Sequence, residues 1–151
     1  MPVPLPVLLL VVTGLARLAG LLVVPALDSW HDAARVGAAA VYLFASSGRL
    51  VPRVRADLVA MVPPGMPRPD LLVAVTGVLE ALGAVGLLVP ATAPAAAACL
   101  GLLTLAMTPA NISAARRGVL FAGRPATPIG RRLAEQVLYL GALAVVLWLP
   151  H

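Results

Sequence analysis

Long apolar runs alternate with short polar connectors along the chain. The apolar runs cover residues 3–27, 33–48, 71–89, 91–112 and 133–149. A helix over residues 71–89 would rise about 28 Å, close to the roughly 30 Å thickness of the hydrocarbon core of a bilayer. The pattern therefore predicts an all-α membrane protein with five transmembrane helices, of which the second, at residues 33–48, is short for a crossing.

The composition favours a membrane protein over a soluble one. Hydrophobic residues make up 61% of the 151 residues and charged residues 11%, whereas a soluble domain carries about 25% charged residues. The first apolar run lacks a preceding basic segment and a following A-x-A cleavage signal, so we predict a retained helix and not a signal peptide. Cys99 is the only cysteine, which excludes an internal disulfide and a CxxC redox pair.

The positive charge is concentrated in two connectors. The chain has eleven arginines and no lysine, and nine of the arginines lie within residues 49–70 and 113–132. Positive charge beside apolar spans is typical of the cytoplasmic side of a membrane and not of a nucleic-acid interface. Five crossings of the plasma (cytoplasmic) membrane would then place the N-terminus in the cytoplasm and the C-terminus outside. Residues 53–61, in the first connector, are compatible with either a short interfacial helix or a loop.

Glu80 lies at the centre of the third apolar run. A carboxyl group at mid-span costs roughly 2.5–3.5 kcal/mol on insertion scales, so we expect it to face the interior of the bundle. The small residues Gly77 and Gly83 share its helical face. Two arginines are candidate ion-pair partners: Arg17, which is closer in depth, and Arg35, near the outer boundary. Glu80 would either fix the packing of the helices through such a pair or hold a proton or the polar head of a ligand.

Other polar residues recur at helical spacing within the remaining runs. The candidate ligand-binding residues are Arg35, Tyr42, Glu80, Thr104, Asn111 and Gln136. In the fourth run, Thr104 and Asn111 continue a face of small residues, which close helix packing would also explain. His31 and His151 have no second ligand at a usable spacing, so we predict no metal site. No catalytic motif is visible, which leaves enzymatic activity open.

Three segments together resemble the DoxX family of small membrane proteins. Residues 45–50 (ASSGRL) are similar to the family's small-residue and glycine ending followed by a basic residue. Residues 75–88 (VTGVLEALGAVGLL) resemble its G-x-x-E-x-x-G-x-x-G-L-L stretch. Residues 107–112 (MTPANI) resemble the P-A-N-I ending of the DoxX-like branch. The resemblance covers about residues 33–149.

The resemblance implies a four-helix DoxX-like core at residues 33–151 and one additional N-terminal transmembrane helix at residues 1–32. Arg17 belongs to the added helix. Positions that match the family's motifs are Arg35, Glu80 and Asn111. Members of the family are linked to a thiosulfate:quinone oxidoreductase, to oxidative stress or to the assembly of membrane proteins.

These observations lead us to expect an integral membrane protein of DoxX-like type, in contact with membrane lipids. It would bind a small amphiphile, a quinone or a lipid, at a Glu/Arg-lined site within the helical bundle. One alternative is a membrane subunit of a quinone-linked oxidoreductase that receives electrons from a partner redox protein. Another is an assembly subunit that recognises other membrane proteins.

Overall fold

The computed structural model describes residues 4–125 and 127–148, and most of them are helical. The helices are α1 (Leu5–Leu22), α2 (Trp30–Gly48), α3 (Pro52–Met61), α4 (Pro69–Leu88), α5 (Ala93–Ala106), α6 (Thr108–Arg116) and α7 (Ile129–Trp148). A 3₁₀ turn, Pro25–Leu27, follows α1. Two short antiparallel strands, β1 (Leu120–Phe121) and β2 (Arg124–Pro125), form a hairpin between α6 and α7.

Local sequence signals explain where these helices begin. Proline occupies the first turn of α1, α3, α4, α5 and α6, where its missing N–H group would have no intrahelical partner. The Ser29 hydroxyl caps α2 by accepting a hydrogen bond from the Asp32 backbone N–H at 3.0 Å. Pro109 cannot donate a backbone hydrogen bond, and the helix is interrupted next to it, at Met107, between α5 and α6.

The core of the bundle is made mainly of small residues with a few leucines. α2 packs against α1, α4 and α7, and α5 packs against α4 and α7. Buried core residues include Ala34, Ala38, Ala39, Ala84, Ala93, Ala96, Ala97, Leu87, Leu100 and Leu143. Gly37 shows how close the helices come, because a Cβ atom there would overlap the side chain of Thr13 on α1. Small residues allow this close approach, as is typical of helices packed within membranes.

The outward faces of the helices are strongly apolar. Exposed large residues include Leu10, Leu15, Leu18 and Leu21 on α1, Val78 and Leu82 on α4, Leu102 and Leu105 on α5, and Val137 on α7. Three helices are long and apolar enough to cross a membrane: Leu5–Leu22, Pro69–Leu88 and the combined segment Ala93–Arg116. These features are compatible with a membrane protein, since soluble domains rarely expose large contiguous apolar surfaces.

A helix is found at each of the five predicted runs, and three of the five have the length and hydropathy of a span. The other two, α2 and α7, carry charged residues within their first turns. α2 begins three residues before the predicted run, and α7 begins four residues before it. The predicted first residue of the first span, Val3, and the predicted last residue of the fifth, Leu149, lie outside the described residues.

The two arginine-rich connectors contact each other at one end of the bundle. Arg117 Nη2 donates to the carbonyl oxygens of the last turn of α3, at 3.1, 2.9 and 3.1 Å from Ala60, Met61 and Val62. The backbone N–H of Ala122, in the hairpin, donates to the Asp57 carboxylate at 2.8 Å. Residues 53–61 lie within α3, so this part of the first connector is a helix and not a loop.

Candidate functional site

Glu80 is buried in the bundle and forms a two-pronged ion pair with Arg49. Arg49 Nη1 and Nη2 lie 2.5 and 2.9 Å from the two Glu80 carboxylate oxygens. The side chains are 13% exposed for Arg49 and 5% exposed for Glu80. Two parallel N–H···O bonds make this one of the stronger and more directional forms of ion pair. The expected inward orientation of Glu80 is therefore confirmed.

Gly77 makes this pair sterically possible. Arg49 directly follows the last residue of α2, and its side chain lies against α4 one helical turn before Glu80. A Cβ atom on Gly77 would overlap the Arg49 Cδ atom. Gly77 lies three residues before Glu80 on α4. Because glycine has no side chain at that position, the Arg49 guanidinium can reach the Glu80 carboxylate.

The predicted partners of Glu80, Arg17 and Arg35, are wrong. Arg17 Nη1 pairs instead with Asp28 at 2.6 Å, and its guanidinium lies 5.7 Å from the centre of the Trp30 ring. Arg17 and Arg35 each pair with a carboxylate at the end of the bundle opposite the arginine-rich connectors, namely Asp28 and Asp32. Arg49 is the first residue of the first arginine-rich connector, and it lies seven residues after Tyr42, on the same helical face.

Arg35 joins α2 to the last turn of α4. Its Nε and Nη2 atoms donate to the carbonyl oxygens of Leu87 and Leu88 at 2.9 and 3.2 Å. Its Nη1 atom lies 2.9 Å from the Asp32 carboxylate. The last carbonyl groups of a helix have no intrahelical donor, and a cation there also complements the helix dipole. Arg35 therefore has a structural explanation, as a cap on α4, that requires no ligand.

Asp32 and His31 complete the cluster around Arg35. His31, which is buried, makes a hydrogen bond through Nε2 to the Val146 carbonyl oxygen on α7 at 3.1 Å. Burial of the Asp32 carboxyl group opposes its charge, but hydrogen bonds from Ser29 and His31 and the Arg35 guanidinium outweigh burial and hold its pKa below the usual value. Asp32 precedes the predicted apolar run, and it fixes the entry to α2.

A second polar cluster crosses the bundle from α2 to α7. The Tyr42 hydroxyl lies 2.7 Å from Thr104 Oγ1, and Thr104 Oγ1 donates to the Leu100 carbonyl oxygen at 2.8 Å, so Tyr42 acts as the donor to Thr104. Gln136 Nε2 donates to the Thr104 carbonyl oxygen at 3.2 Å and to Thr108 Oγ1 at 2.9 Å. Three of the six candidate residues, Tyr42, Thr104 and Gln136, are thus brought together and buried.

A small gap lies at the end of this cluster, between α6 and α7. Arg132 Nη1 donates to the Asn111 side-chain oxygen at 2.6 Å. The gap is lined by Asn111, Ile112, Ile129, Arg132, Leu133 and Gln136, and it is too narrow to hold a water molecule. Two candidate residues, Asn111 and Gln136, therefore border the same gap.

Several polar atoms near these clusters are buried without a hydrogen-bond partner. Within the described residues they are Arg49 Nε, Arg132 Nε and Tyr139 Oη, with Arg17 Nε at the other end of the bundle. Buried polar atoms in proteins are nearly always hydrogen-bonded. All of these atoms carry a hydrogen, so each can donate to an acceptor oxygen. Arg132, Gln136 and Tyr139 are spaced four and three residues apart, so they share one face of α7, but nothing in the sequence signals that Arg132 and Tyr139 lack partners.

The comparisons with known proteins identify a family but not an activity. Residues 38–149 match a family model described as "Domain of unknown function (DUF8561)". The chain belongs to this family. The DUF8561 region includes the Arg49–Glu80 pair and the whole second polar cluster, while α1, Arg17 and Arg35 lie before it. No curated protein and no solved structure matches the chain.

Proposed function

We propose that this DUF8561 protein is a five-span plasma-membrane protein of DoxX-like type that binds a small amphiphile within its bundle. The amphiphile is a quinone or a lipid, and its polar head would lie beside Arg49, Arg132 and Tyr139. The N-terminus would be cytoplasmic and the C-terminus outside, with both arginine-rich connectors in the cytoplasm. The resemblance of the Gly77–Glu80 stretch to the DoxX motif supports this class of protein.

The positions of the charges support crossings by α2 and α7 as well. Asp32 and Arg35 lie in the first two turns of α2, and Arg131, Arg132 and Glu135 lie in the first two turns of α7. The remaining part of each helix carries no charged residue, and α7, with 20 residues, would rise about 30 Å. Charges near the ends of a span can reach the interface or a buried partner at low cost.

The unpartnered donors carry the proposal of a ligand. Arg49 Nε, Arg132 Nε and Tyr139 Oη are buried, and in the described structure none of them has an acceptor. A bundle that used polar residues only to join its helices would have no need of the Tyr139 hydroxyl, since phenylalanine would fill the same space. A ligand with acceptor oxygens, such as a quinone carbonyl or a lipid ester or phosphate, would satisfy these donors.

Glu80 has an indirect role in this proposal. Arg49 occupies both of its carboxylate oxygens, so Glu80 holds the Arg49 guanidinium in the bundle and would not itself touch the ligand. This arrangement differs from the expectation that Glu80 binds a proton or a ligand head directly. Glu80 is better described as a positioning residue for Arg49.

Mass spectrometry of the natively purified protein tests the proposal, with Tyr139→Phe as the decisive variant. We expect wild-type protein to retain a quinone or lipid and Tyr139→Phe to lose most of it. The variant should keep its thermal stability, because the hydroxyl makes no hydrogen bond within the described bundle. Equal ligand content in both proteins would overturn the proposal.

The nature of what co-purifies separates the alternatives. A bound quinone together with a redox partner chain would favour the subunit of a quinone-linked oxidoreductase. A membrane-protein partner without any amphiphile would favour an assembly subunit. A bound amphiphile without a partner chain is the result that our proposal expects.

A further inference from the structure

A wide groove lies along the segment formed by α5 and α6. We name it the α5–α6 groove, and it is lined by Leu105, Thr108, Pro109, Ile112, Ser113, Arg116 and Arg117. Its volume is about 750 Å³, and it is broadly open to its surroundings. The groove lies beside Met107, where the helix is interrupted. Pro109, in the first turn of α6, has no backbone N–H donor.

The lining of the groove changes from apolar to basic along the helix. Leu105, Pro109 and Ile112 line one part, and Ser113 and Arg116 line the other. From Leu105 to Arg116 the helical rise is about 16 Å, which is about half the thickness of the hydrocarbon core. Because Ala93–Arg116 has the length and hydropathy of a membrane span, its last residue, Arg116, would lie at the membrane interface.

The two arginines of the groove differ in their contacts. Arg117 is already engaged, since it donates to Ser113 Oγ at 3.1 Å and to the carbonyl oxygens at the end of α3. Arg116 is exposed and forms no ion pair with any carboxylate among the described residues. Its charge is therefore available to a partner from outside the chain.

We propose that the α5–α6 groove binds an anionic phospholipid, with an acyl chain along Leu105, Pro109 and Ile112 and the phosphate at Arg116. The change from apolar to basic lining, over the depth of one leaflet, matches the change from chain to head group in such a lipid. Charge complementarity favours an anionic head group over a zwitterionic one. The inference rests on the proposed membrane location, but it does not depend on the interior ligand site.

The test compares the binding of phosphatidylglycerol and phosphatidylcholine to purified protein by native mass spectrometry. Wild-type protein should retain phosphatidylglycerol in preference, and Arg116→Gln should reduce this preference about fivefold, the effect of one basic residue near a membrane surface. Arg53→Gln is the matched control, because Arg53 is also exposed but lies on α3, outside the groove. It should leave the preference unchanged.

A second variant tests the apolar part of the groove. Leu105→Trp would fill the space for the acyl chain without changing the charge, so it should reduce the retention of phosphatidylglycerol. The proposal falls if Arg116→Gln keeps the full preference, or if Arg53→Gln reduces it equally, since the general charge of the connectors would then explain it. It also falls if Tyr139→Phe abolishes the preference, because the lipid would then belong to the interior site.

Discussion

The Arg49 side chain lies against Gly77 on α4, and its guanidinium forms an ion pair with the Glu80 carboxylate on the same helix. Together with Arg35, which caps the end of α4, it joins α2 to α4 at two levels. The two arginines are separated by fourteen residues, about 21 Å of helical rise. α2 is thus held against α4 by one charged contact inside the bundle and one at the last turn of α4.

Removing one partner of the buried pair should be far more costly than removing both. We expect Arg49→Met to destabilise the protein by roughly 3–5 kcal/mol, because Glu80 would remain buried without a cation. The double variant Arg49→Met with Glu80→Leu should recover most of that loss, since apolar residues can replace a buried pair at little cost. Thermal unfolding in one detergent measures both effects. A double variant as unstable as the single one would contradict the role of the pair.

Glu80→Ala should be more damaging than Glu135→Ala. Glu135 pairs with Arg131, whose side chain is 67% exposed, and such surface pairs contribute about 1 kcal/mol or less. Glu80→Ala would leave Arg49 as an unpaired cation in the interior. Melting temperature and ligand content are the two measurements. Similar effects of the two substitutions would show that the burial of Glu80 has no energetic consequence.

Gly77→Ala should displace Arg49 from its position against α4. The added Cβ atom would overlap the Arg49 side chain, so the ion pair would have to lengthen or break. Gly141→Ala is the control, because no atom lies near a Cβ at Gly141 and alanine favours a helix by about 1 kcal/mol over glycine. We expect Gly77→Ala to lower the melting temperature and Gly141→Ala to preserve or raise it. The reverse order would contradict this account of the motif.

The sequence predicts that each long apolar run is helical, but not the division of the fourth run at Met107 into α5 and α6, nor which side chains pair. The period and length of the apolar runs are properties of single helices, and α4 lies within two residues of its predicted run. The partner of Glu80 depends on how far two helices slide past each other, and on side-chain length. Arg49 lies two helical turns after Tyr42 on the same face, but an arginine directly after Gly48 is also typical of a solvated connector. The contact between Gly77 and Arg49 could not be read from either residue alone.

The two arginine-rich connectors should be accessible from the same side of the membrane. Arg55 and Arg124 lie in connectors that contact each other through the hydrogen bond from Ala122 to Asp57. In a Cys99→Ala background, Arg55→Cys and Arg124→Cys should both react with an impermeant thiol reagent only when the cytoplasmic face is exposed. Asp28→Cys, in the connector after α1, should react from the opposite side. Labelling of Arg55→Cys and Arg124→Cys from different sides would refute the five-span topology.

Asp32 should make the stability of the bundle depend on acidic pH. Its pKa is lower in the folded protein than its usual value of 3.8, so its contribution is present above that value and is lost as the pH falls further. Protonation would weaken its contacts with Arg35 and Ser29 at the start of α2. We expect the difference in melting temperature between wild type and Asp32→Asn to be large at pH 7 and to shrink below about pH 4. Asp70→Asn, at an exposed carboxylate in the first turn of α4, is the control and should show a smaller difference at pH 7. A difference for Asp32→Asn that is the same at pH 7 and at pH 3 would rule out a role for the Asp32 charge.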